Sequence, residues 1–367
     1  MRARVPTLVI AAAIAIAVVS IAPVDVAGQA APVKKAAAAG GIPRMPDGRP
    51  DLQGTYDIGT LTPLQRRAGS PLVLTEDEAK KLEQQVAARS ANLNAPIDAN
   101  RAAPPTGGDG SPGPYGNVGG YNNFWLDPGT RYATVDGQKR ASLLVDPPDG
   151  RLPELTADAK ARQTSRQARP TSDQAAREED PGFEGAEAYN DPEMRPLAER
   201  CLLGFSSTSG PPMLPTYFYN NLHQIVQTPD KVMILTEMVH DARIVRIGGT
   251  HLPKTMKRWL GDSIGHWDGD TLVVETTNFT DNTRFMGSTE NLRVVERFTR
   301  VDRQTLRYQF TVEDPKTWTR PWTAEYTWPA TGDLMYEYAC HEGNYAMGNI
   351  LRGARLKEKT EATKSRQ

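Results

Sequence analysis

Apolar and polar residues alternate in run after run through the C-terminal half of the chain. The runs LHQIVQT and KVMILTEMV flank Pro229 and Asp230, and similar pairs of runs continue to LMYEYAC. Two alternating runs joined by a tight turn are typical of a β-hairpin. We therefore predict a mainly β fold, an antiparallel meander in a barrel or a sandwich, formed by residues 220 to 340.

The same alternation predicts which side chains share a face of the sheet. Two such rows are Leu306, Tyr308, Phe310 and Val312, and Trp322, Ala324, Tyr326 and Trp328. Rows of this kind usually form a core. A barrel of about eight strands also has room for a ligand cavity lined by aromatic side chains, so both interpretations stay open.

The N-terminal half is dominated by connecting segments with a few regular elements. Thr75 and Glu78 form a capping box at the start of a helix, and Asp136-Gly137 is a hairpin turn. We predict one β-rich domain with one or two peripheral helices. The predicted organisation is a signal peptide at 1–30, a flexible tail at 31–50, the domain at 51–356 with helical or loop excursions at 75–120 and 155–200, and a solvated tail at 357–367.

The first thirty residues have the layout of a secretory signal peptide. Arg2 and Arg4 precede an apolar run, and small residues follow it. We place cleavage after Ala30, with Ala27 as the alternative, and predict a periplasmic or extracellular protein. The run is almost long enough to cross a bilayer, so an uncleaved anchor is the other interpretation and the only membrane contact we expect.

Charge and motifs exclude several classes of function. The chain has 43 Lys and Arg against 44 Asp and Glu, without a polybasic patch, which argues against nucleic-acid binding. It contains no glycine-rich phosphate loop, no HExxH motif and no G-x-S-x-G motif. We therefore expect neither a cofactor nor a metal site.

The two cysteines, Cys201 and Cys340, are predicted to form a disulfide. An even count in an exported chain favours pairing over free thiols. A zinc site needs three or four ligands, and the neighbours Cys340, His341 and Glu342 point in alternating directions in an extended chain. A free thiol and a metal ligand are the less favoured alternatives for Cys340.

Several motifs together resemble those of a large group of uncharacterised exported bacterial proteins. They are MPDGRPDLQGTY, YNNFWLDPG, VDPPDGRLP, QTPDKVMILTEMVHDARIVRI, GHWDGDTLVVETTNF, ENLRVVERFTRVD and DPKTWTRPW. The DLQGTY stretch also resembles the entry strand of lipocalin-like barrels, in which an aromatic side chain plugs one end. The resemblance implies an exported barrel and assigns no catalytic role.

The stretch TEMVHDAR is the strongest candidate for chemistry. In one continuous strand, Glu237, Asp241 and Arg243 would share a face and form a charged row in a pocket. The alternative is a salt bridge at the sheet surface. His240 is a candidate general base because its ordinary pKa lies near neutrality, although a lone histidine is more often structural.

Two further carboxylates, Glu275 and Glu296, interrupt apolar strand runs. A pair of carboxylates is what acid and base catalysis on a glycosidic bond requires. The alternative is that each pairs with an arginine, for which Arg243, Arg297 and Arg307 are available.

Asparagine and aromatic residues occur together in YNNFW and YFYNN. Aromatic faces and amide groups suit the recognition of a sugar or a polyphenol, whereas ordered loops are the structural alternative. With Arg243, the candidate ligand-binding residues are Tyr121, Asn122, Asn123, Trp125, Tyr219, Asn220 and Asn221.

Three functions are compatible with these residues. The first is a binding protein that holds a small molecule or a glycan in an aromatic-lined pocket. The second is a cofactor-independent hydrolase or lyase using His240 with Glu237, Glu275 or Glu296, and the third is a structural envelope component. For either of the first two, we expect Glu237, His240 and Arg243 to lie together at a cleft beside YNNFW or YFYNN.

Overall fold

A computed structural model of the chain describes residues 41–93, 126–167, 189–205, 210–216, 219–283 and 285–364. These residues form a mainly β fold, as predicted. The strands are β1 (Gly54–Asp57), β2 (Val73–Leu74), β3 (Thr134–Val135), β4 (Gln138–Arg140), β5 (Leu144–Asp146), β6 (Leu222–Gln227), β7 (Lys231–Thr236), β8 (Ala242–Ile247), β9 (Asp262–Asp268), β10 (Thr271–Thr277), β11 (Arg293–Arg300), β12 (Thr305–Glu313) and β13 (Trp322–Thr331).

Nine strands close into a barrel. They follow the order β1, then β6 to β13, and β13 returns to pair with β1 at Thr55 and Thr331. Every neighbouring pair is antiparallel except β8 and β9, which run parallel with Arg246 opposite Ile264. The prediction of an entirely antiparallel system is wrong at this point. Residues 248–261 connect the two strands, and a connection of a dozen or more residues is long enough for the chain to start the next strand from the same end.

Strand β13 is long enough to pair with two strands along one edge. Near its start Ala324 lies opposite Leu144 of β5, and near its end it pairs with β1. Two strands from the N-terminal half therefore complete a sheet that we predicted from residues 220 to 340 alone. The hairpin predicted at Asp136-Gly137 is confirmed as β3 and β4, which form a small separate sheet with β2.

The two predicted rows of side chains form the core of the barrel. All eight are fully buried, and the rings pack on one another, with 4.6 Å between the centroids of Tyr308 and Trp328. A buried stretch, residues 210–216, also contacts this core, and we call it the plug segment. Its residue Met213 donates its N–H to the Tyr308 hydroxyl at 3.0 Å and accepts a bond from the Tyr326 hydroxyl at 3.0 Å. These aromatic rows therefore act as packing rather than as walls of a ligand cavity.

Three helices accompany the barrel within the described residues, where we predicted one or two. They are α1 (Glu76–Leu93), α2 (Ala157–Gln167) and α3 (Tyr345–Lys364). The capping box is confirmed, because the Thr75 N–H donates to Glu78 Oε2 at 2.9 Å and the Glu78 N–H donates to Thr75 Oγ1 at 3.2 Å. In the part of the chain that the structure describes, no helix is both long enough and apolar enough to span a membrane.

Three predicted segments near the ends of the domain differ from the structure. The predicted solvated tail starts inside α3, whose many alanine, lysine and glutamate residues favour a helix. LMYEYAC is not a strand, because β13 ends at Thr331 and the following residues to 339 have no strand pairing. Residues 41–50, predicted to be tail, contact the barrel. Arg44 pairs there with Asp270 at 2.6 Å.

The buried histidine on β6 should make the stability of the protein depend on pH. His223 is 1% exposed and its ring lies 5.4 Å from that of Trp328. Burial lowers its pKa from 6.5 to about 4. As the pH falls through this range, the unfolded chain binds a proton that the folded chain does not, so the free energy of unfolding should decrease. The decrease should approach about 3 kcal/mol, because one pKa unit is worth about 1.4 kcal/mol.

This prediction is measured as a difference between two proteins, because carboxylates also titrate over this range. Urea unfolding at a series of pH values should give a shallower acid decline for His223→Gln, which is close in size to histidine and stays uncharged. Parallel declines in the wild type and the variant would contradict the prediction.

Candidate functional site

The disulfide between Cys201 and Cys340 is present, with 5.7 Å between the two Cα atoms, so the prediction is confirmed. It joins the segment ahead of the plug to the segment that follows β13. His341 and Glu342 are exposed beside it. Among the described residues, no group of histidine, cysteine and carboxylate side chains is arranged to hold a metal ion.

Arg243 and Glu296 form a buried ion pair. The guanidinium donates to the carboxylate at 2.5 and 2.9 Å, and the Tyr308 hydroxyl donates to the same carboxylate at 2.8 Å. Glu296 is 0% and Arg243 7% exposed. This is the arginine-paired alternative for Glu296. It corrects the expectation that Arg243 would face Glu237, and it places both side chains where the barrel packs rather than in a cleft.

Burial beside this carboxylate also affects the tyrosine. Desolvation, together with the charge of Glu296, raises the pKa of Tyr308 well above its usual range. Its hydroxyl therefore keeps its proton and acts as a hydrogen-bond donor to Glu296 while accepting from the plug segment. The group of Arg243, Glu296, Tyr308 and Met213 links strands and plug in one network.

Glu275 and Glu296 lie on opposite faces of the sheet. The register of β10 and β11 places Glu296 opposite Val274, and both are fully buried. Glu275 lies opposite Val295 on the other face, where Arg293 Nε donates to it at 3.0 Å. The hypothesis that these two carboxylates act as an acid and base pair is therefore wrong, because side chains on opposite faces do not reach one bond.

A histidine outside the predicted set contacts two carboxylates on this outer face. His251 Nδ1 lies 3.0 Å from Asp262, and Nε2 lies 3.1 Å from Glu275. Arg246 donates to the same Asp262 at 2.8 Å and holds the pKa of that carboxyl far below its usual range despite its burial. These contacts form a salt-bridge network that fastens the 248–261 connection to the barrel.

The stretch TEMVHDAR is not one continuous strand. Strand β7 ends at Thr236, and residues Met238–His240 form a 3₁₀ turn in which Val239 has a φ of 62°. The turn removes the alternation that would have aligned Glu237 with Arg243. Glu237 is 5% exposed, and the backbone N–H groups of Tyr336 and Leu222 donate to its carboxylate at 2.9 and 3.4 Å. The side chain of His240 lies outside the described part of the structure.

Glu237 contributes to a pocket on the outside of the barrel. Asp57 and Leu222 alternate with the inward residues Tyr56 and His223, so they face away from the barrel interior. Residues 332–338, which we call the covering segment, pass along this face and form one side of an open cavity of about 740 Å³, which we call the outer pocket. Its lining residues are Asp57, Asp127, Tyr219, Asn220, Asn221, Leu222, Glu237, Asp333, Leu334, Tyr336, Glu337 and Tyr338.

Three of the predicted ligand-binding residues line the outer pocket. The ring of Tyr219 stacks on that of Tyr338, with 6.3 Å between centroids and 21° between planes. Asn221 is 3% exposed, donates to the Asp127 carbonyl at 2.8 Å and accepts from the Thr216 N–H at 3.0 Å. Asn220 has a φ of 57°, a left-handed conformation that asparagine tolerates. The other four, Tyr121, Asn122, Asn123 and Trp125, lie outside the described residues.

The carboxyl of Asp57 experiences an unusual environment in this pocket. The Gly59 N–H donates to it at 2.8 Å, but burial raises its pKa, and the nearby charges of Asp127, Asp333 and Glu237 raise it further. A carboxylate perturbed by desolvation and by like charges in a cleft is a common feature of functional sites.

The sequence did not reveal most of this pocket. The tyrosines of LMYEYAC occupy every second position, as side chains on one face of a strand do. We therefore predicted a strand there. Asp57 ends strand β1 directly after DLQGTY, and Asp127 lies within YNNFWLDPG, and neither residue had a separate signal in the sequence. Of the residues that line the outer pocket, the sequence predicted only residues 219–221 and Glu237 as site residues.

Comparison of the chain with models of known families, with curated proteins and with solved structures found no match. The closed barrel agrees with the barrel part of the resemblance that we drew from the motifs. Membership of the exported bacterial group stays a prediction.

Proposed function

We propose that this protein is an exported binding protein that holds a small molecule or a glycan in the outer pocket. The observation that carries the proposal is the pocket itself, a cavity of about 740 Å³ lined by three tyrosines and several polar groups. Cavities of this size, with aromatic walls and a few polar groups, are typical of small-molecule sites.

Exposed apolar side chains support a ligand at this place. Tyr336 is 71% and Leu334 69% exposed, although both belong to the segment that covers the pocket. Large apolar groups that remain exposed next to a cavity are often covered when a ligand binds. Tyr219 and Tyr338 add a stacked pair of rings, which suits the flat face of a sugar or of an aromatic compound.

The geometry supports binding better than the hydrolase or lyase alternative. That alternative uses His240 with Glu237, Glu275 or Glu296, and of these carboxylates only Glu237 lines the outer pocket. Glu237 accepts hydrogen bonds from the backbone N–H groups of Leu222 and Tyr336. These bonds hold the covering segment against the barrel. Glu296 and Glu275 form ion pairs with arginines outside the outer pocket.

Export is proposed from the disulfide together with the predicted signal peptide. Disulfides persist in oxidising compartments, and the chain contains one between Cys201 and Cys340. We infer a periplasmic or extracellular location after cleavage.

A thermal-shift screen of the mature protein, residues 31–367, against metabolites and oligosaccharides tests the proposed function. A compound at about 100 times its Kd stabilises the folded state by about 2.7 kcal/mol, which is a shift of several degrees. Any compound that raises the melting temperature should lose most of this effect with Tyr338→Ala, which removes one wall of the pocket.

The matched control is Tyr345→Ala. Tyr345 is 79% exposed and is not a lining residue, so its loss should leave the shift unchanged. The proposal fails if no compound shifts the melting temperature, as expected of a structural envelope component, or if every shift survives Tyr338→Ala.

A further inference from the structure

The outer pocket carries an unusual excess of negative charge. Five carboxylates belong to its lining, and none of the described lining residues is an arginine, a lysine or a histidine. The five are Asp57, Asp127, Glu237, Asp333 and Glu337. Clefts lined by one sign of charge concentrate ligands of the opposite sign.

These carboxylates also lack the partners that carboxylates elsewhere on the barrel possess. Asp262 pairs with Arg246, Glu325 with Arg140, Asp146 with Arg320, and Asp268 with Arg297. Within the described ranges, no ion pair neutralises any of the five in the pocket. Glu237 shows the contrast most clearly, because it is 5% exposed and its two hydrogen bonds come from neutral backbone N–H groups.

Three of the other four carboxylates also accept hydrogen bonds from neutral donors. The Gly59 N–H donates to Asp57, the Gly129 N–H donates to Asp127, and the Thr331 hydroxyl donates to Asp333. These bonds orient the carboxylates without cancelling their charge. Burial raises the pKa of Asp57, and the charges of Asp127, Asp333 and Glu237 raise it further, as expected where carboxylates lie close together in a pocket.

The remaining lining residues identify what kind of cation fits. Aromatic faces attract cations, and the stacked rings of Tyr219 and Tyr338 border the carboxylates. Leu222 and Leu334 add apolar surface. A bare metal ion uses neither rings nor leucines, and the described residues contain no arrangement of ligands suited to one.

We propose that the outer pocket binds an organic cation, an amine or quaternary ammonium compound with an apolar portion. The cationic group lies among the carboxylates, and the apolar portion packs on the tyrosines and leucines. This inference rests on the proposed binding function and adds the charge class of the ligand. It favours an amine-bearing compound over a neutral glycan or an acidic compound.

Three probes that share a phenyl ring and differ in charge test the inference. They are benzyltrimethylammonium, benzyl alcohol and benzoate, titrated into the mature protein and followed by ligand-observed NMR. Benzyltrimethylammonium should bind at least tenfold more tightly than benzyl alcohol, and benzoate should not bind. Raising sodium chloride from about 0.05 to about 0.5 M should weaken the cation selectively, because salt screens exposed charges.

Variants then locate the effect in the pocket. Asp57→Asn keeps an oxygen that accepts from the Gly59 N–H but removes the charge, so it should weaken benzyltrimethylammonium about tenfold. It should also raise the melting temperature of the empty protein, because it removes repulsion among the carboxylates. This second readout shows that the variant folds. The control Glu154→Gln changes a carboxylate that is 79% exposed, pairs with Lys160 and is not in the lining, and it should leave binding unchanged.

The affinity of the cation should also depend on pH with a defined sign. Asp57 attracts the cation only when ionised, so the affinity should fall as the pH falls through the raised pKa of Asp57. The other titratable residues of the lining are Asp127, Glu237, Asp333, Glu337 and the three tyrosines, and the charges of the first three raise the pKa of Asp57. Asp57→Asn should flatten this dependence.

The possible failures separate the inference from the proposed function. Equal binding of benzyl alcohol and benzyltrimethylammonium, both lost in Tyr338→Ala, would overturn the preference for cations and keep the binding site. Calcium ions that bind tightly and displace the organic cation would also overturn it, in favour of a metal site. Failure of all three probes would overturn the inference, and the screen of neutral and acidic compounds would then decide the proposed function independently.

Discussion

Replacing both Cys201 and Cys340 with serine should lower the free energy of unfolding by as much as about 5 kcal/mol. The disulfide joins positions 139 residues apart, and in the chain-entropy model a closed loop of this length restricts the unfolded chain by about that amount. The two segments that it joins also contact each other directly, for example through the bond from Asn344 Nδ2 to the Glu199 carbonyl at 3.3 Å.

Urea unfolding of the oxidised wild type and of the double serine variant measures this effect. A reductant should lower the stability of the wild type and leave that of the variant unchanged, which serves as the control. The variant should also bind more weakly in the outer pocket, because Cys340 lies two residues after Tyr338 and holds the end of the covering segment. Equal stability of the two proteins would show that the packing of this segment is sufficient without the bond.

Removing either partner of the buried ion pair should destabilise the protein by about 3–5 kcal/mol, because each single change leaves one charge buried without a partner. Glu296→Leu leaves the buried Arg243 guanidinium without its carboxylate. Arg243→Met leaves the buried Glu296 carboxylate with the hydrogen bond from Tyr308. Chemical unfolding of both variants measures the loss.

The double variant Arg243→Met with Glu296→Leu is the decisive control. Replacing a whole buried ion pair with apolar side chains of similar size is often neutral or stabilising. The double variant should therefore recover most of the stability that each single variant loses, which would identify the pair as structural. If the single variants instead keep their stability but lose binding or turnover of an identified compound, Glu296 has the catalytic role that we first considered.

Local patterns along the chain predicted much of the architecture. Alternation with period two identified most of the barrel strands and placed the two aromatic rows on inward faces, because each residue of a strand points opposite to its neighbours whatever the strand pairs with. The capping box at Thr75 was recognisable for the same reason, since its partners lie within one turn of helix. The disulfide followed from a count of two cysteines in a chain with a predicted export signal.

Other features depended on pairings that no local pattern contains. The parallel pair β8 and β9 results from the path of residues 248–261, and closure of the barrel uses β1, which precedes the other barrel strands by more than a hundred positions. The covering segment alternates like a strand but does not pair with β13. That edge of β13 already pairs with β5 and with β1.

The sequence by itself therefore determined the fold class, the inward rows, the first helix and the disulfide, all of which depend on residues close together or on a simple count. Only the tertiary structure decided the partners of the charged residues. Glu296 meets Arg243 because β8 and β11 face one interior, whereas Glu237 lies in the turn between β7 and β8, outside the alternation of either strand. The acidic outer pocket exists because residues 332–338 lie beside the ends of β1 and β6 and beside Glu237. That contact depends on the whole closed barrel, so its carboxylates had no common signal along the chain.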